Sequence, residues 1–258
     1  MNYSYPLPRE TKEIFTQKSK CSNLSLWLDR YVSYNFDKQK WELNEALKKH
    51  FLQNIVQNFQ FNSGLIESYY KRWQAIVQSS PLSQTFTAEP EWRMVIGLGQ
   101  TSILETSITL DRITGIPIIP GSALKGLACS SAMLFHLQET DRTEAENNEE
   151  FKKIFGTEKN QGEIVFLDAV PTKIPTLELD IMNNHYPDYY EKDGLPTPYQ
   201  NPNPIYFLTL GNKTQFAFAV VGKDKDLVGK AKDWLSHGLS ELGIGAKTSS
   251  GYGYLISE

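Results

Sequence analysis

Near its C-terminal end the sequence contains a glycine-rich stretch, Leu242-Gly-Ile-Gly-Ala-Lys-Thr-Ser-Ser-Gly-Tyr-Gly-Tyr254, on which the prediction of the fold depends. Two Gly-x-Gly pairs enclose five residues, most of which have side chains that donate hydrogen bonds. Glycine permits positive φ and lets backbone N–H groups come close to a ligand, because it has no Cβ atom. We therefore predict a surface that receives a chain of phosphates.

Two other kinds of glycine loop do not match this stretch. A Walker A loop has a glycine directly before its lysine and another five positions earlier, where this sequence has Ala246 and Glu241. The dinucleotide fingerprint has a third glycine where Thr248 stands, and it follows a strand rather than the helix predicted here. Nucleotide hydrolysis and NAD binding therefore receive little support.

The segments on both sides of the loop have clear periodicities. Before it, apolar residues recur at helical spacing from Leu227 to Leu242, with Asp226 as the predicted N-cap and Gly243 as the glycine that ends the helix. After it, residues 252–257 alternate with the period of a strand. The loop is thus predicted to join a helix to a strand.

Residues 86–258 are predicted to form one domain, preceded by a boundary at 83–90. The other predicted elements are a strand over 91–98, a helix from Ser122 to about Gln138, a strand over 162–169, and a hairpin of strands 205–210 and 215–221 with its turn at Gly211-Asn212. Residues 171–204 contain seven prolines and are predicted to be an irregular insertion. The order is βαββαβ, which predicts an α+β, ferredoxin-like (RRM-like) fold.

The first 85 residues are predicted to be a helical N-terminal extension. Apolar side chains recur every four residues from Leu43 to Phe59, which is the stripe of an amphipathic helix. A second stripe follows Ser63, its predicted N-cap, and ends before Pro81. These stripes indicate core or subunit contacts rather than a cofactor site.

The formal net charge of −4 conceals an uneven distribution. Residues 1–85 have a balance of +4, whereas most of the negative charge lies in Glu139–Glu150 and Glu178–Asp193. An acidic balance therefore does not exclude a local path for RNA.

The cysteine content and hydropathy predict a cytoplasmic protein. Only Cys21 and Cys129 are present, without a Cys-x-x-Cys pair, which implies neither a disulfide framework nor a zinc site. Both are predicted to be small core residues. No apolar run approaches the length of a membrane span, so no membrane partner is expected.

The glycine-rich loop resembles the C-terminal signature of the RAMP superfamily of CRISPR-associated RNA-binding proteins. Two further segments match in the family's order. Ile118–Gly126 resembles the start of the first helix of effector-complex RAMP subunits, and His185–Tyr190 with Pro202–Leu208 is similar to the sixth subunit of the Cmr (type III-B) complex. The resemblance covers roughly residues 92–258.

The resemblance implies a function and a set of partners. It implies a non-catalytic, guide-RNA-binding and scaffolding subunit of a type III-B CRISPR effector, placed near the 3′ end of the guide RNA. The implied partners are guide RNA, target RNA, the backbone RAMP subunit, the small helical subunit and another RAMP protein. The fold alone would not assign this role, because ferredoxin-like domains have many functions.

Two groups of residues are predicted to contact the RNA backbone without reading its bases. Gly121, Ser122 and Lys125 would combine the N–H groups of a helix start with an ammonium group. The second group lies in the loop and consists of Gly243, Gly245, Lys247, Thr248, Ser249, Ser250, Gly251 and Gly253. The alternatives are a capping serine beside a solvent-facing lysine for the first group, and a polar surface turn for the second.

His185 is the best catalytic candidate in the sequence. It could act as a general base, or as a metal ligand with Asp168 or Asp180. Some RAMP relatives are guide-processing ribonucleases that use a histidine, so the alternative function is a stand-alone endoribonuclease that processes CRISPR RNA. A histidine packed between tyrosines is the structural alternative, and a regulatory domain for a small ligand is a third function. We assign no catalytic residue, metal or cofactor.

Overall fold

The computed structural model describes residues 3–8, 10–11, 21–37, 40–184 and 203–257. It is a mixed α/β structure with antiparallel sheets and helices. The α-helices with defined bounds are α1 Leu24–Arg30, α2 Glu45–Asn58, α3 Ser63–Gln78, α4 Gly121–Ser131, α5 Arg142–Ala145, α6 Glu149–Phe155 and α7 Lys225–Glu241. The strands are β1 Tyr3–Ser4, β2 Tyr34–Asp37, β3 Lys40–Glu42, β4 Leu82–Pro90, β5 Arg93–Met94, β6 Val165–Phe166, β7 Val170–Pro171, β8 Leu177–Asn184, β9 Asn203–Gly211, β10 Phe216–Gly222 and β11 Leu255–Ser257.

The main sheet has the strand order β11-β4-β10-β6, and β7 also pairs with β10. Every pair in it is antiparallel. Strands β4 and β10 pair over their whole common length, from Phe216 opposite Ala88 to Gly222 opposite Leu82. These two strands form the centre of the sheet, with β11 and β6 at its edges.

Helices α4 and α7 pack against each other and cover one face of this sheet. Leu124 of α4, Leu235 of α7 and Phe218 of β10 are fully buried in the same core. Burial of one such side chain contributes about 1.5–3 kcal/mol. On the opposite face, Trp73 of α3 packs against Ala217 of β10. The sheet is therefore covered by helices on both sides of its central strand.

The helix that precedes the glycine-rich loop begins two residues earlier than the predicted cap implies. Its N-cap is Asp224, whose carboxylate accepts hydrogen bonds from the backbone N–H groups of Asp226 and Leu227. The prediction of Asp226 as the cap is therefore wrong. The prediction for Gly243 is confirmed, because it follows the C-cap with φ +71° and its N–H donates to the Gly238 carbonyl.

Helix α4 also begins earlier than predicted. Its N-cap residue is Pro120, which makes no side-chain capping bond, and Ser122 lies inside the first turn. The prediction of Ser122 as the N-cap is therefore wrong. The α-helix ends at Ser131 and continues as a π-helix over Ala132–Leu137, which accounts for the predicted end near residue 138.

The first strand of the main sheet lies where the sequence predicts a domain boundary. Residues 83–90 belong to β4, whereas of the predicted strand over 91–98 only Arg93–Met94 is a strand, in another sheet. The polar side chains of β4 conceal it, although threonine favours strands. After Met94, Val95 and Ile96 are both buried, so the alternation expected of a strand does not hold.

The two strands predicted as a hairpin are present, but they do not pair. Strand β9 pairs with β8 from Asn203–Asn184 to Leu210–Leu177, and β5 completes this second sheet. Strand β10 lies in the main sheet instead. The predicted irregular insertion at 171–204 therefore contains β8, and its residues 185–202 lie outside the described part of the chain.

The N-terminal helices follow the predicted stripes. Phe51 and Ile55 of α2 are buried, and so is Ile66 of α3. The predicted cap Ser63 is wrong, because the Asn62 side chain accepts the Leu65 N–H at 3.0 Å. A small antiparallel sheet of β1, β2 and β3, which the sequence did not predict, accompanies these helices.

None of the helices in the described ranges is long and apolar enough to cross a membrane.

Candidate nucleic-acid interface

The glycine-rich loop follows α7 and leads into β11. Its four glycines all have positive φ: +71° at Gly243, +93° at Gly245, +87° at Gly251 and +76° at Gly253. Lys247 shares this conformation with φ +65°, which a residue with a Cβ atom rarely adopts. The path of the main chain through the loop therefore depends on glycines at these positions, because glycine allows positive φ.

Two of the glycines are required by close backbone packing. A Cβ atom on Gly245 would lie 2.3 Å from the Val95 carbonyl oxygen, and one on Gly253 would lie 2.0 Å from that of Ile244. The Ile244 N–H donates to the Gly253 carbonyl at 2.8 Å, and the Gly253 N–H donates to the Arg93 carbonyl at 2.8 Å. These glycines therefore hold the loop against the chain that follows β4.

The loop amides divide into an inward and an outward set. The inward N–H groups donate to the loop itself or to its neighbours, and they belong to Gly243, Ile244, Ala246, Ser250, Gly251, Tyr252 and Gly253. The N–H groups of Gly245, Lys247, Thr248 and Ser249 have no acceptor within the described part of the chain. Three of these four are consecutive: Lys247 is the N-cap of the 3₁₀ turn Thr248–Ser250, and Thr248 and Ser249 lie within it. The loop therefore presents a short row of available donors.

The Lys247 side chain adds a positive charge beside these amides. Its ammonium lies 5.7 Å from the centre of the Phe207 ring and 5.9 Å from that of Tyr252. Within the described residues it has no carboxylate partner. Ser249 and Ser250 are exposed at the tip of the loop. A cation, exposed hydroxyls and unpaired amides together suit a phosphate-bearing ligand.

A polar network lies directly behind the loop. Arg93 donates to Glu178 at 2.6 Å and to Asp180 at 2.5 Å, and the Tyr252 hydroxyl donates to Asp180 at 2.6 Å. The three elements that carry these residues, β5, β8 and the end of the loop, are thereby joined. The network fixes the position of Tyr252, against which Lys247 lies.

The contacts in this network shift the pKa values of Asp180 and Tyr252. Burial on its own would raise the pKa of Asp180, but hydrogen bonds from Tyr252, the Ile181 amide and Arg93 together hold that pKa below its ordinary value. Burial, followed by the bond to Asp180, raises the pKa of Tyr252 to about 12. The carboxylate stays charged and the phenol stays protonated at neutral pH.

The backbone N–H groups at the start of α4 have different hydrogen-bond partners from those of the loop. The Gly121 N–H donates to the Asp168 carboxylate at 2.7 Å, and the Ala123 N–H donates to the Pro120 carbonyl. A Cβ atom on Gly121 would lie 2.1 Å from the Phe166 carbonyl oxygen, so this glycine allows α4 to approach β6. Part of the predicted anion site is thus already bonded within the chain.

The other two residues predicted at this helix start are more accessible. Ser122 is exposed and Lys125 is half-buried. Within the described ranges, the Lys125 ammonium has no hydrogen-bonded or ion-paired partner. Because α4 begins against β6 and the loop leads into β11, the two predicted contact groups lie at opposite edges of the main sheet.

His185 and residues 186–190 lie outside the described part of the chain. Both carboxylates predicted as its partners have other roles: Asp168 accepts the Gly121 N–H, and Asp180 binds Arg93 and Tyr252. Within the described residues, no group of three or more His, Cys, Asp or Glu side chains is placed to hold a metal ion.

Comparison with models of protein families identifies the superfamily of the chain. Residues 92–256, which are more than half of its length, match the family model of the RAMP superfamily. The chain belongs to the RAMP superfamily. Its glycine-rich loop and both groups of predicted contact residues fall inside the matched range.

Two relatives and one solved structure resemble this RAMP chain over most of its length. The CRISPR system Cmr subunit Cmr6 of Pyrococcus furiosus is 30% identical, with 98% of this chain and 90% of the relative covered. Cmr6 of Saccharolobus solfataricus is 27% identical, with 84% and 73% covered. A chain in the structure of the type III-B Cmr-beta complex bound to cognate target RNA has the same fold, with a TM-score of 0.67, 21% identity, and 96% and 86% covered.

The sequence pattern did not single out two residues that lie beside the loop of this RAMP chain. Trp92 is 47% exposed and lies 5.0 Å from the Tyr252 ring. Arg93 binds the two carboxylates behind it. The sequence predicts only a strand over 91–98, whereas in the structure Trp92 precedes β5 and is exposed, and Met94 is buried in the core.

Proposed function

We propose that this chain is a non-catalytic guide-RNA-binding and scaffolding subunit of a type III-B CRISPR (Cmr) effector complex. Its membership of the RAMP superfamily and its similarity to two Cmr6 subunits over most of their length support a place in such a complex. By the same similarity, the other Cmr subunits and the RNA are its proposed partners, and the cytoplasm is its proposed location.

One observation supports RNA binding above the others. The N–H groups of Gly245, Lys247, Thr248 and Ser249 have no acceptor within the described residues, and the Lys247 ammonium lies beside them. A row of amides with a cation binds successive phosphates through charge and hydrogen bonding. It contacts no base edge, so it accepts any sequence, as a subunit that carries different guide sequences requires.

The proposal includes a ferredoxin-like fold for the RAMP domain. The elements β4, α4, β6 with β7, β10, α7 and β11 follow one another as βαββαβ. The last, first, third and second strands of that series are neighbours in the main sheet, which supports this assignment. The glycine-rich loop then joins the second helix to the last strand.

Replacement of Lys247 by alanine tests the phosphate contact. We expect binding to single-stranded RNA to weaken by a similar factor for every sequence, because the lost contact is with the backbone. The slope of log affinity against log salt should fall by roughly 0.7, the value for one phosphate contact. Fluorescence anisotropy with labelled RNAs of unrelated sequence, at several salt concentrations, measures both quantities for the full chain and for the assembled complex.

Lys159→Ala is the matched control, since Lys159 is an exposed lysine in a turn after α6. An unchanged affinity and slope for Lys247→Ala would leave the loop with a structural role only. The same samples, incubated with labelled repeat RNA with and without Mg²⁺, test the non-catalytic part of the proposal. Intact RNA is expected, and defined cuts that disappear in His185→Ala would favour the endoribonuclease.

A further inference from the structure

We propose that Trp92 is a stacking platform for one unpaired base, so that the loop binds single-stranded RNA in preference to duplex RNA. The inference rests on the proposed function and adds to it the strandedness of the ligand. It starts from the exposure of Trp92, nearly half of whose surface is open to solvent beside the loop.

Trp92 and Lys247 lie against the same aromatic ring. The Trp92 ring is 5.0 Å from the centre of Tyr252, and the Lys247 ammonium is 5.9 Å from it. A strand whose phosphates contact the loop amides therefore passes directly beside an exposed indole. Stacking of a base on an aromatic side chain tolerates any base, because every base has a π-face.

The polar network behind the loop keeps the indole in place. The Arg93 guanidinium lies 5.0 Å from the centre of the Trp92 ring. That guanidinium is bonded to Glu178 and Asp180, and Asp180 also accepts the Tyr252 hydroxyl. A ring supported in this way loses little freedom when a base stacks on it, which favours binding.

The indole N–H of Trp92 differs from those of two buried tryptophans, Trp27 and Trp73. Trp27 and Trp73 are buried, and their indole N–H groups donate to the carbonyls of Cys21 and Asp168. The Trp92 indole has no such acceptor within the described residues. Its polar atom and its open face are thus both available to a ligand.

A duplex cannot use such a platform. Each base of a duplex is already paired and stacked on its neighbours, so contact with Trp92 would require a base to leave the helix. An unpaired strand meets no such cost. The loop amides and Lys247 favour a nucleic acid over a protein partner at this surface, because they suit phosphate rather than an apolar side chain.

The experiment compares single-stranded RNA with the same strand annealed to its complement, using fluorescence anisotropy with the full chain. Trp92→Leu should weaken single-strand binding by roughly 5- to 150-fold, the range for loss of one stacked base. It should leave the salt slope unchanged, because no phosphate contact is lost, and it should not change duplex binding. Trp92→Phe, which retains an aromatic face, should restore most of the affinity.

Trp41→Leu is the control, because Trp41 is similarly exposed at 41% and lies in β3, whose sheet contains neither β5 nor β11. Unchanged single-strand binding by Trp92→Leu, or an equal loss for single strand and duplex, would overturn the inference. If Trp92→Leu instead prevents co-purification with partner subunits and leaves RNA binding intact, the surface docks a protein and the inference is also overturned. If the wild type does not bind RNA, the proposed function itself is overturned. If Lys247→Ala weakens RNA binding and Trp92→Leu does not, only the stacking inference is overturned.

Discussion

The glycines of the loop serve different purposes, although they look equivalent in the sequence. Gly245 and Gly253 bring main-chain atoms so close to neighbouring carbonyl oxygens that no side chain fits. Gly251 has a positive φ with open space around its Cα atom. The first two build the loop, and the third only lets it turn.

Substitution of these glycines by alanine should separate the two purposes. Gly251→Ala should cost about 1 kcal/mol, because it introduces only the strain of the left-handed conformation. Gly253→Ala adds a Cβ atom 2.0 Å from the Ile244 carbonyl oxygen and should cost about 3 kcal/mol. Chemical denaturation of both variants measures the difference. Equal losses would show that the contact at Gly253 relaxes without cost.

At the residue level the sequence indicated where positive φ is needed, but not which atoms each residue contacts in the folded chain. The spacing of the glycines predicted a loop that exposes its amides, whereas the structure turns most of those amides inward. Two of them donate to the carbonyls of Val95 and Arg93 across a long sequence separation, and the others donate within the loop or to the end of α7. Local pattern contains no information about such partners.

At the level of elements, strand β8 is the support of the candidate site. It carries Glu178 and Asp180, which hold Arg93 of β5 and Tyr252 at the end of the loop. The segment was predicted to be irregular, because its neighbouring prolines and acidic residues conceal a strand. Its pairing with β9 makes it regular.

Asp180→Asn tests this support through its pH dependence. The pKa of Asp180 is lowered in the folded chain, so its stabilising effect is complete above its ordinary pKa of about 3.9 and is lost as pH falls through the lowered value. The difference in thermal midpoint between wild type and variant should therefore be largest above about pH 4 and shrink in more acid solution. Asp233→Asn, at an exposed position on α7, is the control. A difference that does not vary with pH would contradict the assignment.

Elements with long periodicity could be predicted, and their partners could not. The stripes of α2, α3 and α7 each span at least three turns, so their existence followed from the sequence. Caps were misplaced by one or two residues: a neighbouring Asn or Asp takes the role at α3 and α7, whereas the N-cap of α4 is Pro120. The hairpin of β9 and β10 was wrong, because a glycine turn does not by itself decide which strands pair.

On the scale of the whole molecule, the N-terminal helices share a core with the RAMP domain. Trp27, Phe51 and Ile55 belong to one cluster of buried residues with Met94 and Phe218. Helix α2 also contacts β8 and β9, the strands beside the glycine-rich loop. The N-terminal part thus covers a surface of the domain that would otherwise be apolar and exposed.

Removal of residues 1–81 should therefore prevent cooperative folding of the remaining chain. Deletion exposes one side of the shared core, and the expected result is aggregation or a broad thermal transition in circular dichroism. Ile55→Ala is a less disruptive test of the same shared core. It should lower the free energy of unfolding of the full chain by about 2–5 kcal/mol, and the chain should still unfold in a single transition. Sharp unfolding of the truncated chain near the midpoint of the full chain would instead show an independent domain.

The short link between β9 and β10 has a mechanical consequence. Its turn is closed by the Thr214 N–H, which donates to Gly211, while Thr176 donates to the Thr214 hydroxyl and Thr172 donates to Gln215. Because these hydrogen bonds restrain the connection, we expect the two sheets to move together rather than about a hinge at this turn. Under the proposed function, an RNA strand would then bind a surface that is already formed, and little binding free energy would be lost in rearranging the protein.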